Sequence, residues 1–505
     1  MTSSEISPDA RKARGAKAAA AATAPDPLRW WALAVIALAQ LVVLLDGTIV
    51  NIALPSAQAD LRMGDGSRQW VISAYALALG GLLLLGGFLV DAVGRRRAFV
   101  LGLLGFAAAS AAGGSASEPA VLFAARAGQG AFAALLAPAT LSLVMTTFTD
   151  PRERRRAFAV FGTVSGIGSA SGLILGGLLT EYLNWRWCMY INVPLALGAA
   201  LAGMRVLRPG GGGRTVRLDV IGVLLGCSGL TAVVHGFGAA EQHGWSSPGV
   251  LGVLAAGGLL VALFAVRQRR VSHPLVPPRI VGDRQRAGAL GVAALGHAAT
   301  FGLLLFLTYY LQAVLGYSAV AAGAAFLPLT VGMTAGVTLA TRLAGRLAPG
   351  TVIVPGLLLA ASGVVLLTRL DPGSAYVSQV LPALLPTGFG LGCASMTAMT
   401  VATGGVAAQD AGRAAALFTT AQQVGGAVGA TVLNTVAVGA AGGHLAAHLS
   451  AAARVEAAVR QFTVALWAVA GVLLVAALLA AAVLCRPAAA NGGVSRIAAA
   501  ARPEG

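Results

Sequence analysis

Long runs of apolar residues recur along almost the whole chain, and short polar or basic stretches separate them. The runs extend from Trp31 to Cys485, and most reach the roughly 20 residues that a helix needs to cross a bilayer. A transmembrane β-barrel would instead show short segments of alternating polarity. The pattern predicts an all-α integral membrane protein with fourteen transmembrane helices, at residues 31–54, 70–90, 98–116, 120–146, 157–180, 188–207, 219–238, 248–266, 288–312, 319–340, 351–369, 376–403, 415–438 and 461–485.

Composition and charge agree with a membrane protein. Of the 505 residues, 57% are hydrophobic and 10% are charged, whereas a soluble protein carries about 25% charged residues. The net charge of +17 comes mainly from the tails and from every second connection, which is where a membrane protein keeps its cytoplasmic charge. We therefore predict cytoplasmic termini and no nucleic-acid partner.

The sequence shows no constellation typical of an enzyme or a metal protein. The four cysteines have no metal-ligand or disulfide-like spacing, so we predict neither a metal site nor disulfides. No glycine-rich phosphate loop appears, which argues against an ATP-driven pump, and no catalytic residues are suggested. A transporter without a phosphate loop would need no cofactor, and its driving force would be an ion gradient or the gradient of its own substrate.

Asp46 lies deep in the first apolar run and is the only one of the eighteen acidic residues so placed. A carboxylate at that depth costs at least about 2.5 kcal/mol on insertion scales. One interpretation is a hydrogen-bonded acid that packs helices together. We favour a functional acid that faces a water-filled cavity and carries a proton.

Arg126 offers this carboxylate a partner in the fourth span. Arginine keeps its charge in practice, so a buried arginine needs a counter-charge. Asp46 lies about nine residues, roughly 13 Å, and Arg126 about seven residues, roughly 10 Å, from the same side of the membrane, so their depths match. A purely structural salt bridge is the alternative, and both roles are compatible if protonation of Asp46 breaks the pair.

The connection after the second span resembles a family signature. Gly87 and Asp91 precede Gly94, Arg95 and Arg96, and this spacing resembles the signature loop of the major facilitator superfamily. Gly94 permits a tight turn, and a carboxylate such as Asp91 suits a helix N-terminus or an arginine. The resemblance implies that this loop takes part in gating.

Two further features follow from the resemblance. Arg126 and Gln129, in the sequence Arg-Ala-Gly-Gln-Gly, resemble the family's fourth-helix motif, which is implicated in proton transfer. Asp91 is expected to meet the start of the thirteenth span near Arg413 and to hold the cytoplasmic gate shut.

The fifth span places small residues at close spacing. Gly168, Gly172, Gly176 and Gly177 would let neighbouring helices approach closely. They also resemble the family's exporter-associated fifth-helix motif. Leu173 stands where that motif usually has proline, which removes the usual cause of a kink.

The sequence Asn-Trp-Arg-Trp-Cys-Met-Tyr-Ile-Asn-Val-Pro from Asn184 to Pro194, together with Leu45–Pro55, resembles the fourteen-helix drug:proton antiporter group of this superfamily. The resemblance covers essentially residues 30 to 485. It implies a disordered basic cytoplasmic tail at 1–28, six-helix bundles at 29–207 and 287–485, an inserted helix pair at 208–286, and a cytoplasmic tail at 486–505.

The expected substrate site lies near the midplane between the two bundles. The polar candidates for this cavity are Asn51, Gln129, Tyr309, Tyr310 and Gln312. Most of them are equally suited to helix packing.

The sequence thus predicts a proton-coupled exporter of small amphiphilic organic compounds in the cell membrane, functional as a monomer. Its partners would be the substrate, protons and the lipid bilayer. The alternatives are a dedicated exporter of one endogenous metabolite or self-made antibiotic, and a membrane receptor or scaffold that transports nothing. Because spans nine to fourteen contain no deep acidic residue, we expect neutral, weakly acidic or monocationic substrates rather than dications.

Overall fold

The structure is a computed structural model that describes residues 28–64, 67–148, 150–208, 219–271, 274–276, 281–371, 373–404, 406, 411–441 and 451–485. These residues form helices and connections, with no β-strand among them, which confirms the predicted all-α class. The predicted tails lie outside the described residues, apart from Leu28.

Fourteen helical segments follow one another along the described residues. They are α1 (Arg29–Asp60), α2 (Trp70–Val93), α3 (Arg95–Gly114), α4 (Pro119–Thr147), α5 (Pro151–Tyr182), α6 (Trp187–Val206), α7 (Val220–His243), α8 (Pro248–Arg270), α9 (Arg284–Val314), α10 (Ala319–Leu343), α11 (Pro349–Leu367), α12 (Tyr376–Thr403), α13 (Ala411–Ala441) and α14 (Ala451–Leu484). Proline begins α4, α5, α8 and α11, where its missing N–H costs nothing.

Length and hydropathy support a polytopic membrane protein. Eleven helices within the described residues are long and apolar enough to cross a bilayer. Of the other three segments, α2 contains a shorter apolar stretch, Trp70–Leu83. The helical architecture is therefore as predicted, with between eleven and fourteen candidate spans.

The helices form two groups and a pair between them. Helices α1 to α6 pack on one another as the first group, and α9 to α14 pack as the second group. The main contacts between the groups join α2 to α13 and α5 to α10. We call the end of the bundle at which α1 finishes the Asp60 end, and the opposite end the Arg29 end.

The pair α7 and α8 lies at the seam between the groups. α7 packs against both α2 and α13, while α8 packs mainly on α7 and leaves most of its surface exposed. Asp219 precedes α7 and accepts hydrogen bonds from the Gly222 amide at 2.9 Å and from Arg267 Nε of α8 at 2.7 Å. The two helices are thereby tied together at the Arg29 end.

Candidate functional site

Asp46 lies near the middle of α1, and donors from two other helices surround its carboxylate. Oδ2 accepts a hydrogen bond from Arg126 Nη1 of α4 at 2.6 Å. Oδ1 accepts one from Gln129 Nε2 of α4 at 2.9 Å and another from Asn192 Nδ2 of α6 at 2.8 Å. The two residues that depth alone predicted to meet, Asp46 and Arg126, are thus in direct contact.

Further contacts hold Arg126 and Gln129 in place. Arg126 Nε donates to the Val71 carbonyl of α2 at 2.9 Å, and Nη1 donates to Gln129 Oε1 at 2.8 Å. The guanidinium carbon lies 4.4 Å from the centre of the Tyr75 ring, in a cation–π arrangement. Gln129 Nε2 also donates to Ser110 Oγ of α3 at 2.8 Å.

We call Asp46, Ser110, Arg126, Gln129 and Asn192 the Asp46 cluster. Asp46, Ser110, Gln129 and Asn192 have no exposed surface, and Arg126 is 2% exposed. Opposite charges so close and so far from water attract strongly, but each also loses its hydration. A proton that neutralised the carboxylate would remove this attraction and leave Arg126 with only neutral partners. The arrangement is chemically suited to couple protonation to helix packing.

Glycines of α5 bring α1 into its position. A Cβ at Gly172 would lie 2.8 Å from the Leu45 carbonyl oxygen, and one at Gly176 would lie 2.6 Å from the Ile49 carbonyl oxygen. Real Cβ atoms do not approach so closely, so only glycine permits this packing. The backbone segment that carries Asp46 is therefore seated directly on α5.

The other two glycines named from the sequence have different neighbours. A Cβ at Gly168 would make a closer than usual contact with Leu41, at 3.2 Å, whereas one at Gly177 would lie 2.5 Å from the Ala319 carbonyl oxygen of α10. Gly177 thus belongs to the contact between the two groups. Leu173, in the place of the family's proline, is buried, and its carbonyl faces Gly323 of α10.

The signature loop forms a tight connection between α2 and α3. Gly94 has a φ of 95°, a conformation that favours glycine, and α3 begins at the next residue, Arg95. Arg96 donates to the Met204 carbonyl at the end of α6. Gly87 lies one turn before Asp91 in α2. The side chains of Asp91 and of Arg413 lie outside the described part of the chain.

Two of the predicted cavity residues connect the groups on the side of Asp46 that leads to the Asp60 end, and a third contacts only its own helix. Tyr309 donates its hydroxyl proton to Gln58, and Gln312 Nε2 donates to the Ile52 carbonyl at 3.1 Å, so both join α9 to α1. Asn51 turns back on its own helix and donates to the Gly47 carbonyl at 3.2 Å. In this arrangement the three side chains make packing contacts.

Tyr310 and Gln129 have other surroundings. Tyr310 is 1% exposed, stacks on Phe462 with ring centroids 4.1 Å apart, and donates to the Asp371 carbonyl at 2.8 Å. It therefore lies in the core of the second group and not between the groups. Gln129 lies in the Asp46 cluster.

A small cavity that sequence reasoning did not identify lies between α9, α10, α12 and α13. Its lining includes the polar residues His297, Thr300, Ser395 and Gln422, and no charged residue belongs to it. Gln422 Nε2 lies 3.4 Å from Ser395 Oγ. The signal in the sequence was weak, because isolated polar residues in spans nine, twelve and thirteen are indistinguishable from packing residues.

Sequence reasoning also missed the contacts of Asn192 and Ser110 with the cluster. Asn192 belongs to the motif from Asn184 to Pro194, which served only to identify the family resemblance. An amide within an otherwise apolar span is the signal that could have identified it. Ser110 occupies an ordinary position in an alanine-rich helix, so nothing in the sequence singled it out.

Comparison with known proteins agrees with the motifs. The model of the Major Facilitator Superfamily matches residues 36–430. The puromycin resistance protein pur8 of Streptomyces alboniger is 55% identical over 466 residues, which cover 91% of this chain and 92% of that protein. The cephamycin export protein CmcT of Amycolatopsis lactamdurans is 38% identical over 412 residues, which cover 80% and 84%.

A solved structure extends the agreement to the fold. A bacterial homolog of the human lysosomal transporter Spinster, in an inward-facing and unoccupied conformation, superposes with a TM-score of 0.66 at 15% identity. The match covers 92% of this chain and 100% of that one. These matches confirm the predicted family: the chain belongs to the major facilitator superfamily and is a multi-pass transporter of the cell membrane.

Proposed function

We propose that this transporter exports small amphiphilic organic compounds, such as drugs or antibiotics, in exchange for protons. In this proposal fourteen helices cross the membrane, both termini are cytoplasmic, and the Asp60 end faces outward. Residues 29–207 and 287–485 act as two bundles that rock about a central substrate site, as in other transporters built from parallel repeats. Residues 208–286 form an inserted pair.

The Asp46 cluster carries the proposal. A carboxylate can gain and lose a proton, whereas the arginine beside it stays charged, so the charge of the pair changes with each proton bound. Asp46 is fully buried at the middle of a membrane helix. A charge is costly there, and acidic residues at such positions usually mark proton or ion pathways. This combination favours proton coupling over a purely structural ion pair.

Alternating access then follows a simple sequence. With the outer side open, Asp46 takes a proton from outside and loses its attraction to Arg126. Rocking of the bundles exposes Asp46 to the cytoplasm, where the proton leaves and the substrate binds. The contacts of Tyr309 with Gln58 and of Gln312 with Ile52 support an assignment of this structure to the state that is closed on the outside.

A narrower function is the second candidate. Two relatives carry the names of single antibiotics, puromycin and cephamycin, and the first is 55% identical to this chain. These names favour the dedicated export of one compound, an endogenous metabolite or an antibiotic that the cell itself makes. The mechanism would be the same proton antiport. Export assays with puromycin and with several unrelated amphiphilic compounds would separate the narrow function from the broad one.

Proton coupling can be tested with purified protein in liposomes that have an acidic interior. We expect labelled puromycin to accumulate inside and to leave when a protonophore removes the gradient. Asp46→Asn should abolish this accumulation, because asparagine cannot carry the proton. Glu118→Gln is the matched control, because it removes an exposed carboxylate at the start of α4 and should leave accumulation intact.

Gradient-driven accumulation by a correctly folded Asp46→Asn protein would refute the assignment of coupling to this residue. Accumulation that no proton gradient affects, in the wild-type protein, would refute proton antiport altogether.

A further inference from the structure

Asn192 differs from the other polar members of the Asp46 cluster in one respect. Its Nδ2 group lies 2.8 Å from Asp46 Oδ1 and 3.5 Å from the Cys188 carbonyl oxygen. Both neighbours are acceptors, which fixes the amide with its nitrogen toward Asp46. Its Oδ1 atom is buried and has no hydrogen-bond partner among the described residues.

Gln129 makes the same kind of contact to Asp46 but uses both ends of its amide. Its Nε2 group donates to Asp46 Oδ1 and to Ser110 Oγ, and its Oε1 atom accepts from Arg126 Nη1. Turning this amide over would break its hydrogen bonds to the Asp46 carboxylate and to Arg126. The cluster thus contains one amide that is held at both ends and one that is held at its nitrogen alone.

The difference matters when Asp46 takes up a proton. A neutral carboxyl group has an O–H donor that needs an acceptor, and a buried donor without one is unfavourable. The titratable or charged groups beside Asp46 make other contacts. Arg126 only donates, Tyr75 holds its ring against Arg126 and donates its hydroxyl toward the Val43 carbonyl at 3.5 Å, and the Cys188 thiol of α6 donates toward the Gly176 carbonyl.

We propose that Asn192 is a positioning residue that turns its amide over when Asp46 is protonated, so that Asn192 Oδ1 accepts the hydrogen bond from the neutral carboxyl group. In the charged state Asn192 donates to Asp46, and in the neutral state it accepts. The bond between α1 and α6 is kept in both states, while the charge attraction between Asp46 and Arg126 is present in only one. Asn192 thereby stabilises the proton-loaded state, and this role rests on the proposed proton antiport.

The test compares Asn192→Leu with Gln129→Leu, each of similar size to the residue it replaces. Asn192→Leu removes the buried acceptor that has no other partner among the described residues, so the O–H of the neutral carboxyl group is left unsatisfied, whereas the carboxylate loses one of its three donors and keeps Arg126 and Gln129. Half-maximal gradient-driven export should then need about a tenfold higher proton concentration, or roughly one pH unit lower. Gln129→Leu weakens the charged state instead, so its midpoint should move in the opposite direction.

Exchange of labelled for unlabelled puromycin at equal pH on both sides serves as the folding control, because it requires alternating access without net proton movement. A wild-type protein without any gradient-driven export would refute the proposed function. A wild-type protein with normal export, together with an Asn192→Leu protein that exchanges puromycin and keeps the wild-type pH midpoint, would overturn the role of Asn192 alone. Shifts of both variants in the same direction would overturn it as well.

Discussion

The first and second groups handle buried polarity in opposite ways. The buried polar residues of the first group include Asp46 and Arg126, which bond to each other, and Asp46 also accepts hydrogen bonds from amides on two other helices. In the described part of the second group, the buried polar residues are neutral: Thr308, Thr387, Thr431, Asn434 and Thr435. Several of these threonines donate to a carbonyl of their own helix, such as Thr387 to Ala383 at 2.7 Å.

The helices of the second group pack closely through glycines, as α1 and α5 of the first group do at Gly172 and Gly176. A Cβ at Gly336 of α10 would lie 2.1 Å from the Phe389 carbonyl oxygen of α12, and one at Gly390 of α12 would lie 2.0 Å from the Gly356 carbonyl oxygen of α11. These helices touch backbone to backbone, and the Cys393 thiol of α12 donates to the Gly336 carbonyl of α10 at 3.4 Å. Under the proposed antiport, the first group carries the buried ion pair that takes up the proton, whereas the described residues of the second group include no buried carboxylate or guanidinium.

The largest effect is expected from breaking the ion pair between Asp46 and Arg126 in the first group. Arg126→Met leaves the buried carboxylate of Asp46 without its counter-charge. Removing one partner of a buried ion pair lowers the free energy of unfolding by about 3–5 kcal/mol. We expect a clear loss of thermal stability, measured by the unfolding temperature in detergent. Transport should fail as well.

The double variant Asp46→Asn/Arg126→Met is the matched control. It removes both charges, so most of the stability should return while proton coupling stays absent. A single Arg126→Met variant as stable as the wild-type protein would contradict the view that the pair is mutually dependent.

Depth along the helices was enough to predict that Asp46 and Arg126 would meet. Both residues are unusual in an apolar run, and helix geometry fixes their heights. Sequence patterns also predicted where all fourteen helical segments lie. Rotation about the helix axis was not predictable in the same way, since it decides which side of α9 faces α1.

This limit explains the outcome for the predicted cavity. Tyr309 and Tyr310 are neighbours in sequence, yet Tyr309 contacts Gln58 of α1 and Tyr310 stacks on Phe462 of α14. Adjacent residues point about 100° apart on a helix, so a shared position in the chain gave no shared environment. Similarly, the contact of Asn192 with Asp46 depends on how α6 packs, which no motif specifies.

A smaller effect is expected from crowding the tightly packed group. Gly336→Ala forces α10 and α12 apart, and overpacking of this kind typically costs about 1–3 kcal/mol. The unfolding temperature should fall. Gly471→Ala in α14 provides the control, because a Cβ there meets nothing within 4 Å and alanine favours a helix over glycine by about 1 kcal/mol.

If the two alanine variants had equal stability, the close contacts between α10 and α12 would not be limiting. The view that close glycine packing stabilises the second group would then lose its main support.

The smallest effect concerns substrate charge. The described residues of the second group include no buried carboxylate for a second positive charge, so a divalent cation should be exported poorly compared with its monovalent counterpart. The measurement is a resistance panel in a host without its own pumps, with monovalent and divalent members of one cationic scaffold. Strong resistance to the divalent member that disappears in Asp46→Asn would show that one carboxylate is sufficient for both charges.

The exposed helix α8 has a consequence for the membrane in which this protein works. Its apolar stretch ends before the basic residues Arg267, Arg269 and Arg270 and has a length of about 28 Å, close to the hydrocarbon thickness of about 30 Å. A thinner bilayer would make the helix tilt more, and the bond between Asp219 and Arg267 would pass that tilt to α7 and so to the seam between α2 and α13. The acyl-chain length of the surrounding lipids should therefore adjust the balance between the two open states, with no change in any residue that touches the substrate or the proton.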